Sequence, residues 1–210
     1  MLPNDAPIFC YIARHGQTVL NAEKKFRGNA DPPLDETGIR QAHQLGRLFS
    51  NIDVSHIFCS PKIRSTTTAK IIAGDKGIPI HEADALAALN VGEFSGQPRT
   101  PESEACLESY LADPDTQIPG GESLNDFKAR IDPCIQQALD IFIETGVPPL
   151  IVAHSSVVHE ASSMAYGDHK AVLVEPGGAV ALYLNKEGQL RSEAIHRPLK
   201  VQPGKAGTIT

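Results

Sequence analysis

Three short apolar runs, Ile8-Phe9-Cys10-Tyr11-Ile12-Ala13, His56-Ile57-Phe58-Cys59 and Leu150-Ile151-Val152-Ala153, constrain the fold more than any other feature of this chain. Apolar character that is continuous rather than alternating, over so few residues, is the pattern of strands covered on both faces in a parallel sheet. The segments between them read as helices. Ile39, Ala42, Leu45, Leu48 and Phe49 recur at helical spacing over 37–49, with Thr37 as the expected N-cap. Ser60-Pro61 supplies a good N-cap and a proline suited to the first helical position, which predicts a helix to about residue 73 with Arg64 in its first turn. Ile78-Pro79-Ile80 reads as a short strand. Pro119-Gly120-Gly121-Glu122-Ser123 punctuates the chain before a long helical pattern through Phe127, Ile131, Ile135, Leu139 and Ile143, which Pro133 is expected to bend or divide. A helix over 157–166 and strands over 179–184 and 189–195 complete the series. Strands alternating with helices predict a three-layer α/β/α sandwich with a mostly parallel central sheet.

At 210 residues and 41% hydrophobic content, the chain can bury one sizeable core. Residues 1–198 are expected to form a single domain, with an inserted rim segment around 84–119 where turn formers dominate and periodicity is weak, and 199–210 to form a flexible tail. A net charge of −6 leaves no global basic field for nucleic acid or an anionic membrane, so an anion site would have to be a local cluster of cations. No apolar run approaches the roughly 18 to 20 residues of a membrane span, and the first residues lack the basic and apolar regions of a signal peptide. A cytoplasmic location is the expectation. Cys10, Cys59, Cys106 and Cys134 include no Cys-x-x-Cys pair and read as free thiols.

Sheets of this kind bind ligands beyond the carboxyl ends of their strands. Three of the predicted strands end at Arg14-His15, at Ser60-Pro61 just ahead of Arg64, and at His154. Neutral imidazole is a nucleophile toward phosphorus, and covalent catalysis divides one difficult displacement into two easier ones. A transferring phosphoryl group spreads charge over its equatorial oxygens and calls for a preorganised ring of donors. Arginine supplies a planar fork of N–H groups that stays charged, and Arg64 would also lie near a helix N-terminus. Taken singly, His15 reads as a loop residue, Arg64 as a solvated helix residue and His154 as a helix cap. Their convergence on one rim is what marks a site, and with the charge supplied by side chains no metal or other cofactor is expected.

Arg14-His15-Gly16-Gln17-Thr18-Val19-Leu20-Asn21 resembles the R-H-G-x-T-x-x-N signature of the histidine phosphatase superfamily, which includes the cofactor-dependent phosphoglycerate mutases. Gln17 stands where that family carries glutamate. Phe26-Arg27-Gly28 with the segment 31–42, Ser60 to Ala69, Gly120-Gly121-Glu122-Ser123 and Val152-Ala153-His154 resemble four further blocks in the family's order, over about 8–185. The resemblance implies a phosphoglycerate mutase-like fold and a phosphohistidine mechanism: His15 attacks phosphorus, Arg14, Arg64 and His154 hold the phosphoryl oxygens, and Asn21 adds a further ligand. Water or a substrate hydroxyl then takes the phosphoryl group.

One expected group is missing. The segment matching L-x-E-x-x-x-G-x-x-x-G runs from Leu86 to Gly96 and places Ala88 where the family's general acid stands. Glu122 and Glu93 are the leading substitutes, ahead of Asp84. His159-Glu160 matches no zinc spacing and reads as helix surface. The leading functional reading is a phosphomonoesterase acting on a small phosphorylated substrate; the alternative, which Ala88 supports, is a pseudoenzyme that binds a phosphorylated ligand without turnover, and a phosphoglycerate-type mutase is disfavoured. Neither G-x-G-x-x-G nor G-x-x-x-x-G-K-[ST] follows a strand. Substrate choice is expected in the rim, with Phe26, Arg27, Phe94 and Arg99 as contributors. Oligomeric state is left open.

Overall fold

The computed structural model describes residues 7–28, 30–166 and 174–196. The expected tail at 199–210 lies outside the described residues. Six strands, β1 (Ile8–Arg14), β2 (Ile57–Cys59), β3 (Ile80–Glu82), β4 (Leu150–Ala153), β5 (Ala179–Leu184) and β6 (Leu190–His196), form one sheet in the order β3-β2-β4-β1-β5-β6. The pairs β3·β2, β2·β4 and β4·β1 are parallel, whereas β1·β5 and β5·β6 are antiparallel. The sheet is therefore mixed, with its parallel part carrying the three strand ends singled out above.

Both faces are covered, as the continuous apolar runs require. Tyr11 and Ala13 of β1, Leu150 and Val152 of β4, and Ala179 and Ala181 of β5 pack on one side against Leu45 of α2 (Glu36–Leu48) and Ala69 and Ile72 of α3 (Ile63–Ala73), with Phe49 just beyond α2. The alternate residues, Cys10, Ile12, Ile151, Ala153, Val180 and Leu182, pack on the other side against Phe127, Ile131 and Ile135 of α5 (Leu124–Thr145) and Val157, Val158 and Ala161 of α6 (Ser155–Tyr166). A register shift between Ile8 and Cys10 breaks the alternation and puts Phe9 beside Cys10 on the α5 face.

Local signals differ from the expectations in four places. Asp35, not Thr37, caps α2, its carboxylate accepting from the Gly38 N–H at 2.8 Å. Helix α3 begins at Ile63 rather than at Ser60-Pro61, so Ser60 is free for another partner, and Arg64 still falls in the first turn. Pro133 does not divide α5, which runs unbroken from Leu124 to Thr145. Pro133 is exposed, so the carbonyl deprived of its helical donor can turn to water. The rim is more ordered than its composition suggests. It contains α4 (Pro101–Leu111), capped by Thr100 and Ser103, and a small core of Phe26, Val91, Phe94, Leu107 and Ile118.

The rim is tied to the sheet by Arg130 of α5. Its guanidinium donates to the carbonyls of Ala85, Ala87 and Ala88 at 2.6, 2.8 and 3.0 Å, and to both oxygens of Glu122 at 2.7 and 3.0 Å. All four free cysteines are unpaired, Cys10 and Cys59 within the core. Removing Arg130 would strand the largely buried Glu122 and three carbonyls, so Arg130→Met is expected to lower unfolding free energy by about 3 kcal/mol in urea denaturation. Arg40→Met, which breaks an exposed pair with Glu36, is expected to change it by less than about 0.5 kcal/mol.

Candidate active site

The pairing of β1 with β4 sets the site. Arg14 lies opposite Ala153, and the His15 N–H donates to the Ala153 carbonyl at 3.0 Å, so His15 and His154 leave the sheet side by side. Their rings stand edge to face with centroids 5.2 Å apart, and both are fully buried. The next residue, Gly16, touches the start of α2. A Cβ there would lie 2.3 Å from the Gly38 carbonyl oxygen, and one on Gly38 would lie 2.1 Å from that of Gln17. Only paired glycines permit this backbone contact. The Gly16 N–H also donates to Thr68 Oγ1 on α3, at 3.3 Å, and the Thr68 hydroxyl donates to the Arg64 carbonyl at 2.8 Å.

His15 Nδ1 lies 2.6 Å from the Gly16 carbonyl oxygen. A carbonyl can only accept, so Nδ1 carries the proton and Nε2 keeps its lone pair. His154 has the opposite tautomer. Arg64 Nη2 donates to its Nδ1 at 3.4 Å, which leaves Nε2–H to donate to Ser60 Oγ at 2.9 Å. Ser60 thus holds the second histidine instead of capping a helix. Arg64 is itself fully buried, donating to the Ala30 carbonyl at 2.9 Å and to Asp31 at 3.2 Å. Arg14 donates to the Val174 carbonyl at 2.7 Å.

The residue that sequence reasoning misplaced is Arg27. Expected on the rim as a specificity contributor, it reaches inward, with Nη1 2.7 Å from His15 Nε2 and 3.0 Å from Asn21 Oδ1. Asn21 Oδ1 also accepts from the backbone N–H and hydroxyl of Thr18, so Asn21 steadies Arg27 and the start of α1 (Val19–Ala22). Its carboxamide nitrogen is the group it can offer an anion. The signal was the block Phe26-Arg27-Gly28. Phe26 is anchored in the rim core, and Gly28 follows at φ 48°, turning the chain back. Gln17 donates to Asp35 at 3.1 Å, where a glutamate would set two carboxylates together.

Neither carboxyl expected to replace the missing acid joins the cluster. Glu122 accepts from Asn90 N–H at 2.7 Å as well as from Arg130, so it is the ionic anchor of the rim. Glu93 is exposed on the short turn Gly92–Phe94, and Asp84 is exposed on the turn Asp84–Leu86. Ala88 is half-buried, and its neighbour Leu89 donates to Ser156 Oγ at 3.1 Å, two residues beyond His154. Glu160 is buried rather than on the helix surface, 3.9 Å from Lys128. Among the described residues no group of three His, Cys, Asp or Glu side chains could hold a metal ion, and no helix is long and apolar enough to cross a membrane.

Burial sets the electrostatics. Desolvation holds His15 well below the ordinary histidine value, reinforced by Arg27, His154, Arg64 and Arg14. Desolvation does the same to His154, reinforced chiefly by Arg64. Arg27 is pushed down to about 9 by burial and then by Arg14 and Arg64, and Arg14 and Arg64 to about 10 by burial, so all three remain cationic at neutral pH. The arrangement is a neutral nucleophilic nitrogen within a ring of guanidinium donors, suited to a tetrahedral dianion.

With this geometry in hand, comparison with known proteins gives the class. Residues 10–172 match the model of the histidine phosphatase superfamily, branch 1, and the chain belongs to that family. It is 34% identical over 148 residues to a Yersinia pestis protein named probable phosphoglycerate mutase GpmB, an alignment covering 69% of this chain and 68% of that one. The fold is shared with Bacillus stearothermophilus YhfR at a TM-score of 0.77 and 23% identity, covering 90% and 97% of the two chains. A mycobacterial glucosyl-3-phosphoglycerate phosphatase shares it at 0.75 and 20% identity, covering 89% and 97%. The α-ribazole phosphatase of Shigella flexneri does so at 0.71 and 22%, covering 92% and 99%.

The buried neutral histidines make stability depend on pH with a definite sign. Their folded values lie below the unfolded one near 6.5, so on acidification the unfolded chain takes up protons first. Their contribution is complete above about pH 6.5 and falls as pH drops below it, by up to about 1.4 kcal/mol per pH unit for each histidine. Urea denaturation between pH 8 and 5 is expected to show this decline, and His154→Gln to flatten it.

Proposed function

We propose that this protein is a phosphomonoesterase that works through a phosphohistidine on His15. The observation that carries the reading is the tautomer lock: the Gly16 carbonyl holds the His15 proton on Nδ1 and leaves the Nε2 lone pair facing the guanidinium ring. In the first step Nε2 bonds to phosphorus as the P–O bond to the leaving group breaks, while Arg14 and Arg64 hold the equatorial oxygens and His154 joins them by turning its Nε2–H from Ser60 to the phosphoryl group. In the second, water displaces the imidazole and inorganic phosphate leaves. The side chains supply the cationic charge, and activity is expected to persist in a metal chelator.

The leaving oxygen has no carboxylic acid beside it at Ala88, and Glu122 is engaged by Arg130. A positioned acid is worth about 10²- to 10⁴-fold, so turnover falls mainly on esters whose leaving group needs no proton. The same observation favours the second reading, a protein that binds phosphorylated ligands without turning them over. The name of the Yersinia pestis relative also keeps mutase activity within the test.

Incubation with an aryl phosphate is expected to give acid-labile, alkali-stable phosphoprotein in the wild type and none in His15→Ala. No phosphoprotein and no hydrolysis at acidic or neutral pH would leave the binding reading; transfer to phosphoglycerate faster than to water would make it a mutase. Hydrolysis is expected to favour aryl over alkyl phosphates strongly. Ala88→Glu is expected to raise alkyl phosphate turnover by about 10²-fold, and no gain there would show that position 88 does not face the leaving group.

A further inference from the structure

His15 is fully buried although the reaction needs phosphorus to reach it, and the group lying on its reactive nitrogen is Arg27. The contact at 2.7 Å is a hydrogen bond donated by a guanidinium to the one imidazole nitrogen that still has a lone pair, since Nδ1 is committed to Gly16. Attack on phosphorus needs that same lone pair, with the electrophile about 3 to 3.5 Å away. Arg27 and the phosphoryl group therefore compete for one position.

The partners of Arg27 are what make it displaceable. Arg64 is paired with Asp31 at 3.2 Å and Arg99 with Glu104 at 3.0 Å, but among the described residues no carboxylate pairs with Arg27. Its Nη1 bonds are to two neutral acceptors, His15 and Asn21. Guanidinium bonds to an anionic oxygen are stronger than those to a neutral acceptor. An incoming phosphoryl dianion offers better acceptors within a short swing of the side chain. A neutral electrophile offers none.

We infer that Arg27 masks the nucleophile: its guanidinium occupies His15 Nε2 until a phosphoryl group draws it away, and it then becomes a ligand of that group. The inference rests on the proposed phosphohistidine reading for the second half of its role, but the masking stands on geometry alone. It gives the site selectivity for dianions at the level of access, before any bond to phosphorus forms.

The test uses diethyl pyrocarbonate, a small neutral electrophile that acylates unprotonated imidazole, with peptide mapping by mass spectrometry. In Arg27→Met, His15 is expected to react about 10- to 100-fold faster than in the wild type, the range a hydrogen bond to a charged group is worth. Exposed His43 and His81 should react at unchanged rates and serve as internal controls. Affinity for inorganic phosphate, measured by calorimetry, is expected to fall by a similar factor. Equal His15 reactivity in the two proteins would overturn the masking, and equal phosphate affinity would overturn the ligand role. If Arg27→Met also speeds reaction of His43 and His81, Arg27→Gln is judged by the same two criteria. Neither readout requires turnover, so a masked His15 in a protein that forms no phosphoenzyme would refute the phosphatase reading and leave this one intact.

Discussion

The parallel pairing of β1 with β4 is the constraint on which the rest of the site depends. It places Arg14 opposite Ala153, so two histidines that are far apart in sequence emerge together at the end of the sheet. The strands can hold this register because each is apolar on both faces, and a slip of one residue would exchange the residues facing α2 and α3 with those facing α5 and α6. The helices on the two sides differ in what they add. Helix α3 supplies Arg64 and, through Thr68, grips the loop that follows His15; α5 supplies Arg130 and grips the rim.

Much of this was legible in the residues. Continuous apolar runs located β1, β2 and β4, and their ends located Arg14, His15, Arg64 and His154. What escaped was governed by tertiary contacts. Helix α4 left no periodic signal because Leu107 is its single buried residue, so an amphipathic pattern had nothing to record. Ser60 looked like a helix cap by residue type, but His154 claimed its hydroxyl, and the helix started three residues later at Ile63. Arg27 was assigned outward because sequence does not say that the loop folds back; the anchoring of Phe26 beside Phe94, ring centroids 5.7 Å apart, makes it do so.

The segment around Ala88 shows a scaffold more elaborate than the side chain it presents. Arg130 holds the carbonyls on either side, Ser156 accepts from the N–H of Leu89, and Glu122 accepts from that of Asn90. Backbone groups held at so many points fix a loop tightly. The chain thus preserves the positioning of a residue that contributes only a methyl group. Glu122 and Arg130 are conspicuous as charges, yet their role is to hold that loop in place.

The Gly16 carbonyl has a consequence for how this chemistry could ever be dissected. By accepting a hydrogen bond from Nδ1–H it decides which nitrogen of His15 can form a bond to phosphorus, so the regiochemistry of any phosphohistidine is written in the main chain. Every residue that can be exchanged leaves that oxygen in place. A complete set of side-chain substitutions would therefore assign no contribution to the atom that selects the isomer, and only a change to the peptide group itself, such as an ester or thioamide linkage after Gly16, would bring it into view.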